Sequence, residues 1–201
     1  MKKVKDYYYH LAKEKNLSAR SVFKLQEIDE KYHLIKKGMS IMDMGASPGS
    51  WTEYALQEVG SEGRIVAIDL KPLHKTLPPP VTFIEGDIFQ LNQDNFPDPN
   101  MKFDLILSDM APNTSGNKGL NHQQSLDLCH EVFKRCDLLL KRDKDVIVKV
   151  FQGEDLQAFI LEEVKPRFKS YKLFKPKSSR KESVELFIIG FKFKGKTYRT
   201  G

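Results

Sequence analysis

At 201 residues the chain is long enough to bury a sizeable core in one α/β domain. It is 40% hydrophobic and 30% charged, an ordinary globular balance, and no apolar run approaches bilayer-spanning length, which excludes a helical membrane protein. Thirty-three Lys and Arg against 27 Asp and Glu leave a net charge of +6, and the excess is unevenly placed. Seven basic side chains stand against two acidic ones in the first 24 residues, and Lys165 to Lys181 holds eight Lys or Arg with no Asp or Glu. Stripes of this kind are either solvated faces or the footprint of a polyanion.

The start, Met-Lys-Lys-Val-Lys-Asp, has no apolar segment of the signal-peptide kind, so a cytoplasmic protein is expected. Residues 1–17 read as a basic leader, in which Tyr7-Tyr8-Tyr9 are either stacking groups for bases or core. Leu17 to about Tyr32 is predicted as a helix, capped by Ser18, with Val22, Leu25, Ile28 and Tyr32 as its apolar stripe. Ser40–Met44 is a strand, followed by a Gly/Pro turn and a helix to about Val59. Arg64–Asp69, Val81–Glu85 and Phe103–Ser108 are further strands, and Leu77-Pro78-Pro79-Pro80 is a rigid connector. Ala111 to Gly119 is a polar loop. Leu126, Cys129, Val132, Phe133, Cys136 and Leu139 then recur at helical spacing. The two cysteines lie two turns apart on that helix, roughly 10 Å, too far for a disulfide. Asp145–Phe151 is a fifth strand and Glu154–Glu163 a helix stopped near Pro166. Ser170–Phe174 and Val184–Phe191 are late strands that suit an antiparallel pair, and residues 192–201 form a basic tail. The alternation predicts a single Rossmann-like domain over residues 1–201, a mostly parallel sheet with helices on both faces. The five histidines show no metal-ligand spacing, so no metal is expected.

In such a sheet ligands bind outside the carboxyl ends of the strands. Gly45, Asp69, Asp87 and Asp109 all fall there, each at or just after the end of a strand. Gly45 and Gly49 let backbone approach a ligand where a Cβ would clash. Asp69 lies 24 residues after Gly45, close to the spacing at which an acidic side chain grips ribose hydroxyls. The turn Gly45-Ala-Ser-Pro-Gly49-Ser departs from the dinucleotide pattern, and Pro48 and Trp51 suit a pyrophosphate cradle poorly. Asp43, Asp87 and Asp109 make the crevice acidic, which repels the phosphates of a nicotinamide cofactor and suits the sulfonium of S-adenosylmethionine.

Two residues break the apolar pattern of their strands. Lys149 stands in Val146-Ile147-Val148-Lys149-Val150-Phe151, a run apolar on both faces and therefore central. Glu185 enters Val184-Glu185-Leu186-Phe187-Ile188-Ile189. A buried charge needs a partner, and each of these can serve the other.

Five stretches together carry a resemblance. Ser18-Ala-Arg-Ser-Val-Phe-Lys24-Leu25, Asp43-Met-Gly-Ala-Ser-Pro-Gly-Ser-Trp51, Ser108–Asn113, Val148-Lys149-Val-Phe-Gln-Gly-Glu154 and Ser183-Val-Glu185 resemble, in order, the motifs of the FtsJ/RrmJ (RlmE) family of S-adenosylmethionine-dependent ribosomal RNA 2'-O-methyltransferases. The resemblance runs from about Ser18 to Gly190; Ser47 and Ser50 replace the Ala and Gly expected in that family's turn. It implies a catalytic tetrad of Lys24, Asp109, Lys149 and Glu185. It implies S-adenosyl-L-methionine contacts at Gly49, Trp51, Asp69, Asp87 and Asp109, to which the reading of the turn adds Gly45. The implied substrate is a uridine in the A-loop of large-subunit rRNA, within the ribosomal subunit, and a monomer is expected. Other RNAs (tRNA or an mRNA cap) and a non-catalytic assembly factor are the alternatives. Two roles stay open for Lys149, general base or group that orients the 2'-hydroxyl. Lys24 would lower its pKa, while Asp109 and Glu185 would raise it. The two basic stripes are expected to hold RNA phosphates.

Overall fold

The parallel arrangement follows from strands that are apolar on both faces. In the computed structural model, which describes residue 10 and residues 18–113, 116–180 and 182–195, seven strands form one sheet. They are β1 (Ser40–Met44), β2 (Arg64–Asp69), β3 (Val81–Glu85), β4 (Phe103–Ser108), β5 (Leu140–Phe151), β6 (Phe168–Phe174) and β7 (Glu185–Phe193). The spatial order is β3-β2-β1-β4-β5-β7-β6. The first five strands pair in parallel, and β7 slots antiparallel between β5 and β6. Strand order reverses between β1 and β4, which places the ligand crevice at that switch point. The expected fold class, with its antiparallel pair at the end, is the one observed. Tyr7–Tyr9 and most of the leader lie outside the described residues.

Period-two alternation sends neighbouring residues to opposite cores. Met42, Met44, Ile106, Val146, Val148 and Ile188 pack under α3 (Lys118–Leu139) and α4 (Leu156–Phe159). Ile41, Ile65, Leu105, Leu107, Ile147, Phe187 and Ile189 pack under α1 (Val22–Tyr32) and α2 (Ser50–Val59). Cys129 and Cys136 are free thiols buried on α3, and burial pushes the Cys129 thiol up to about 12. Among the described residues no cluster of His, Cys, Asp or Glu is placed to hold a metal ion, and no helix is long and apolar enough to cross a membrane.

Four local differences from the sequence reading have physical causes. Helix α1 begins at Val22, not near Leu17, with Ser21 at the N-cap position. Ser18 does not cap it; its hydroxyl donates to the Glu53 carboxylate of α2 instead. Strand β5 starts at Leu140, directly off α3, because Leu140 already pairs with Phe103. The polar run Lys141–Lys144 is then carried as an irregularity before Asp145 rejoins β4 opposite Leu105. The helix expected over Glu154–Glu163 is a single α-turn that widens into a π-helix at Ile160–Val164. The widening closes an Lys165 N–H to Ile160 carbonyl bond of 3.0 Å and keeps Leu156, Ile160 and Val164 all buried.

The fourth concerns the basic stripe from Lys165 to Lys181, which is not one surface. Strand β6 runs the same way as β5, so Lys165, Arg167 and Lys169 lie at the amino end of the sheet and Lys175, Lys177 and Arg180 at the carboxyl rim. Arg167 is 1% exposed. It donates to both Asp137 oxygens at 2.8–3.1 Å and to the Glu163 carboxylate at 2.6 Å, tying α3 and the π-helix to β6. Burial lowers its pKa, but these two carboxylates outweigh that and hold it above its ordinary value. It is a structural cation.

Candidate active site

The turn after β1 is built around its first glycine. Gly45 has φ +79°, and a Cβ there would lie 2.3 Å from Met110 Cγ, so both strain and contact demand glycine. The Gly45 and Ala46 amides donate to the Ile68 carbonyl at 2.9 and 3.1 Å, pinning the turn to β2. Asp69 braces it from the next strand: its two oxygens accept from the Ser47 and Lys71 amides at 3.0 and 2.9 Å. Asp87 holds the following turn by accepting from the Phe89 amide at 3.0 Å. Buried Arg135 of α3 fixes that turn from behind through the Ile88 carbonyl at 3.0 Å. The result is a crevice of about 490 Å³ lined by Gly45, Asp69, Asp87, Phe89, Asp109 and Met110. Leu70 and Phe89, 68% and 53% exposed, offer bare apolar surface on either side of it.

Two of the expected ligand contacts, Gly49 and Trp51, stand at the start of α2. Gly49 does not line the crevice; at φ +115° it is the N-cap of α2. Trp51 is 2% exposed and also outside it. Its ring packs on Phe187 at 5.7 Å and its indole N–H donates to the Ser21 carbonyl at 2.9 Å. The first turn of α2 faces the sheet, so Trp51 wedges between α1 and β7 and fixes where those elements meet.

That meeting point holds the tetrad. Parallel register sets Ser108 opposite Val148, which brings Asp109 beside Lys149. The Lys149 ammonium donates to Asp109 Oδ1 at 3.0 Å and to the Asp109 backbone carbonyl. Antiparallel register sets Phe151 opposite Glu185 and Lys149 opposite Phe187, so Lys149 and Glu185 share a face as diagonal neighbours. They do not pair with each other as the sequence suggested. Glu185 takes Lys24 of α1, Nζ to Oε2 2.7 Å, and accepts from Ser179 Oγ at 2.8 Å. Burial raises the Glu185 carboxyl, but the Lys24 ammonium, with Lys149 and Ser179 behind it, outweighs this and holds it below its ordinary value. Lys149 and Glu185 are each 8% exposed, so both charges are sheltered and both are matched.

Behind the glycine turn sits Asp43, with no exposed surface. Thr52 donates to its Oδ2 at 2.6 Å, and Oδ1 has no partner among the described residues. Burial pushes this carboxyl up to about 7, and the nearby Asp109 and Asp69 charges push the same way. The sequence marked Asp43 only as a source of acidity. Its isolation became legible once α2 was seen to cover it.

The family model described as FtsJ-like methyltransferase matches residues 17–193. The chain belongs to that family. An FtsJ-like relative from Desulfatibacillum aliphaticivorans, named Ribosomal RNA large subunit methyltransferase E, is 40% identical over 95% of this chain and 92% of its own length. One of the same name from Brachyspira hyodysenteriae is 41% identical over 96% of this chain and 98% of its own length. A solved Plasmodium falciparum structure described as a ribosomal RNA methyltransferase superposes with a TM-score of 0.75 at 29% identity, covering 89% of this chain and 99% of that one. The FtsJ-like match spans the whole sheet and both ion pairs, and the chain is a methyltransferase.

Proposed function

We propose that the chain methylates a ribose 2'-hydroxyl in large-subunit ribosomal RNA, with S-adenosyl-L-methionine as donor and the A-loop uridine as target, in the cytoplasm and as a monomer. The observation that carries this reading is the pair of sheltered ion pairs, Lys149–Asp109 and Lys24–Glu185, with Asp109 itself lining an acidic crevice.

The crevice fits the donor. Three carboxylates outnumber one lysine, Lys71, in its lining, and the unpartnered oxygen of Asp43 lies behind it, an environment that favours a sulfonium and an ammonium over phosphate. Asp69 and Asp87 are the residues to hold the donor's hydroxyl and adenine edges, with Leu70 and Phe89 covering its ring. When bound, S-adenosylmethionine supplies an electrophilic methyl group.

The rest falls to the chain's own side chains. Lys149 has three donors, of which Asp109 takes two; the third is left for the ribose 2'-oxygen. In that position Lys149 orients the hydroxyl and stabilises negative charge as its proton leaves. Lys24 and Glu185 hold a second charged pair on the far side, so the nucleophile meets fixed dipoles in place of mobile water.

Incubation with radiolabelled donor and undermethylated large subunits tests the reaction. The label is expected at one ribose 2'-oxygen. Lys149→Ala should lower kcat by about 10²–10³-fold with unchanged donor affinity. Lys149→Arg discriminates the roles: retained activity with the wild-type pH profile fits orientation, and complete loss with restored activity only at high pH fits a base. Label on a nucleobase, or none on any subunit, would overturn the reading.

A further inference from the structure

The tetrad has a second side. Beyond Lys24 and Glu185, away from the acidic crevice, lies a separate depression of about 290 Å³ at the carboxyl rim. Its walls come from the start of α1 and from the turn joining β6 to β7, including Arg20, Ser178, Arg180 and Glu182.

The described residues of this turn are held by one partner distant in sequence and by local bonds. The Glu27 carboxylate of α1 accepts from the Lys177 and Ser178 amides at 2.6 and 2.8 Å. The Ser179 amide closes on the Pro176 carbonyl at 3.1 Å, and the Ser183 amide on the Arg180 carbonyl at 3.0 Å. Ser179 Oγ is committed to Glu185. The walls are therefore preorganised, which lowers the ordering cost for a ligand.

Cations outnumber carboxylates in this pocket. Lys24 and Glu185 neutralise each other at 2.7 Å. Arg20 and Arg180 form no ion pair among the described residues, and Glu182 is exposed at the edge. Three cations face two carboxylates, which leaves one positive charge. Arg20 is held below its ordinary pKa by burial and then by the like charge of Arg180, so the two guanidinium groups feel each other across the cavity. Ser178 is 7% exposed, and its hydroxyl, buried in the wall, has no partner among the described residues. A buried hydroxyl left unpaired is costly until a ligand meets it. Two guanidinium groups and a free hydroxyl around one cavity suit a tetrahedral oxyanion with a single charge.

We propose that this pocket seats one phosphodiester of the substrate strand, the linkage beside the ribose whose 2'-hydroxyl faces Lys149. The proposal rests on the methyl-transfer reading above and makes it more specific. The tetrad lies between the two depressions: Asp109 lines the donor crevice, while Lys24 and Glu185 line this one. In RNA the 2'-oxygen and the 3'-phosphate sit on adjacent ribose carbons. A strand whose hydroxyl reaches Lys149 therefore brings that phosphate to the rim, and gripping it fixes the ribose. The seat supplies register and affinity and reads no base.

The test uses undermethylated large subunits, with binding and methyl transfer both measured across roughly 50–300 mM salt. Arg180 is exposed and Arg20 only partly buried, so both can be replaced without opening the core. Arg180→Gln is expected to raise KM for subunits about tenfold and to flatten the log–log salt dependence of binding by about 0.7. The double variant with Arg20→Gln should flatten it by about twice that. Donor affinity and melting temperature should stay at wild-type values, and Arg180→Lys should keep the wild-type slope. An unchanged slope in the double variant, whatever KM does, overturns the phosphate seat. Wild-type protein that binds subunits without transferring methyl, with the slope difference intact, overturns the reaction and leaves the seat.

Discussion

Asp43 is a fully buried carboxyl behind the crevice. Its carboxyl titrates at about 7 in the folded protein, against an ordinary value of 3.8. Between those values the native state holds a proton that the unfolded chain has released, so stability falls as pH rises through that window and is fully present only below it. The span corresponds to about 4 kcal/mol, from 3.8 up to about 7. Asp43→Asn keeps the Thr52 contact and removes the titration. Urea unfolding at pH 4.5 and pH 8 should show the wild type losing stability relative to this variant at the higher pH; parallel behaviour would mean the native carboxyl is ionised throughout. A cationic donor binding nearby favours the ionised form. Calorimetry near pH 7 in two buffers of different ionisation enthalpy should therefore register proton release on S-adenosylmethionine binding that the variant lacks.

Among the elements, the glycine turn and strand β6 make opposite demands. Gly45→Ala combines a left-handed backbone with a 2.3 Å approach to Met110, and both residues line the crevice. A loss of about 2 kcal/mol or more is expected from strain and contact. Donor-induced thermal stabilisation should shrink with it, which a melting curve with and without S-adenosylmethionine measures. Arg167→Met at the far end of β6 breaks a buried ion pair and should cost about 3 kcal/mol. It should leave the salt dependence of subunit binding untouched, because Arg167 faces Asp137 and Glu163 and no solvent. Elements of this kind also mark how far the sequence could be read. Strands β1, β2, β4 and β5 were legible because strands buried on both faces are largely apolar, and edge strand β3, only half-buried, was legible from its β-branched and aromatic residues. The basic stripe was misread as one surface because a count of charges carries no strand direction. The exchange of partners by Lys149 and Glu185 depends on register and on where α1 crosses β7, and neither leaves a local trace. The π-helical widening at Ile160 has no sequence signal, and the Glu27 contact spans 150 positions.

Across the whole molecule, charge is sorted by place. Acidic groups gather under the switch point of the sheet, and Arg20, Lys24, Lys175, Lys177 and Arg180 gather around the neighbouring rim. On the proposed reading, donor and RNA meet surfaces of opposite sign. Raising salt from roughly 50 to 200 mM should weaken subunit binding on the order of tenfold or more, while donor affinity changes little. Equal sensitivity of both ligands would contradict this sorting.

Strand β6 has one neighbour, β7, which the ribosome makes after it. Until β7 emerges, β5 keeps an open edge and Lys24 has no Glu185 to meet, 161 residues downstream. A chain cut short before that strand leaves the β5 edge open, which invites pairing with other chains. On the proposed reading, methyl transfer therefore waits until Glu185 has been made and β7 has paired with β5.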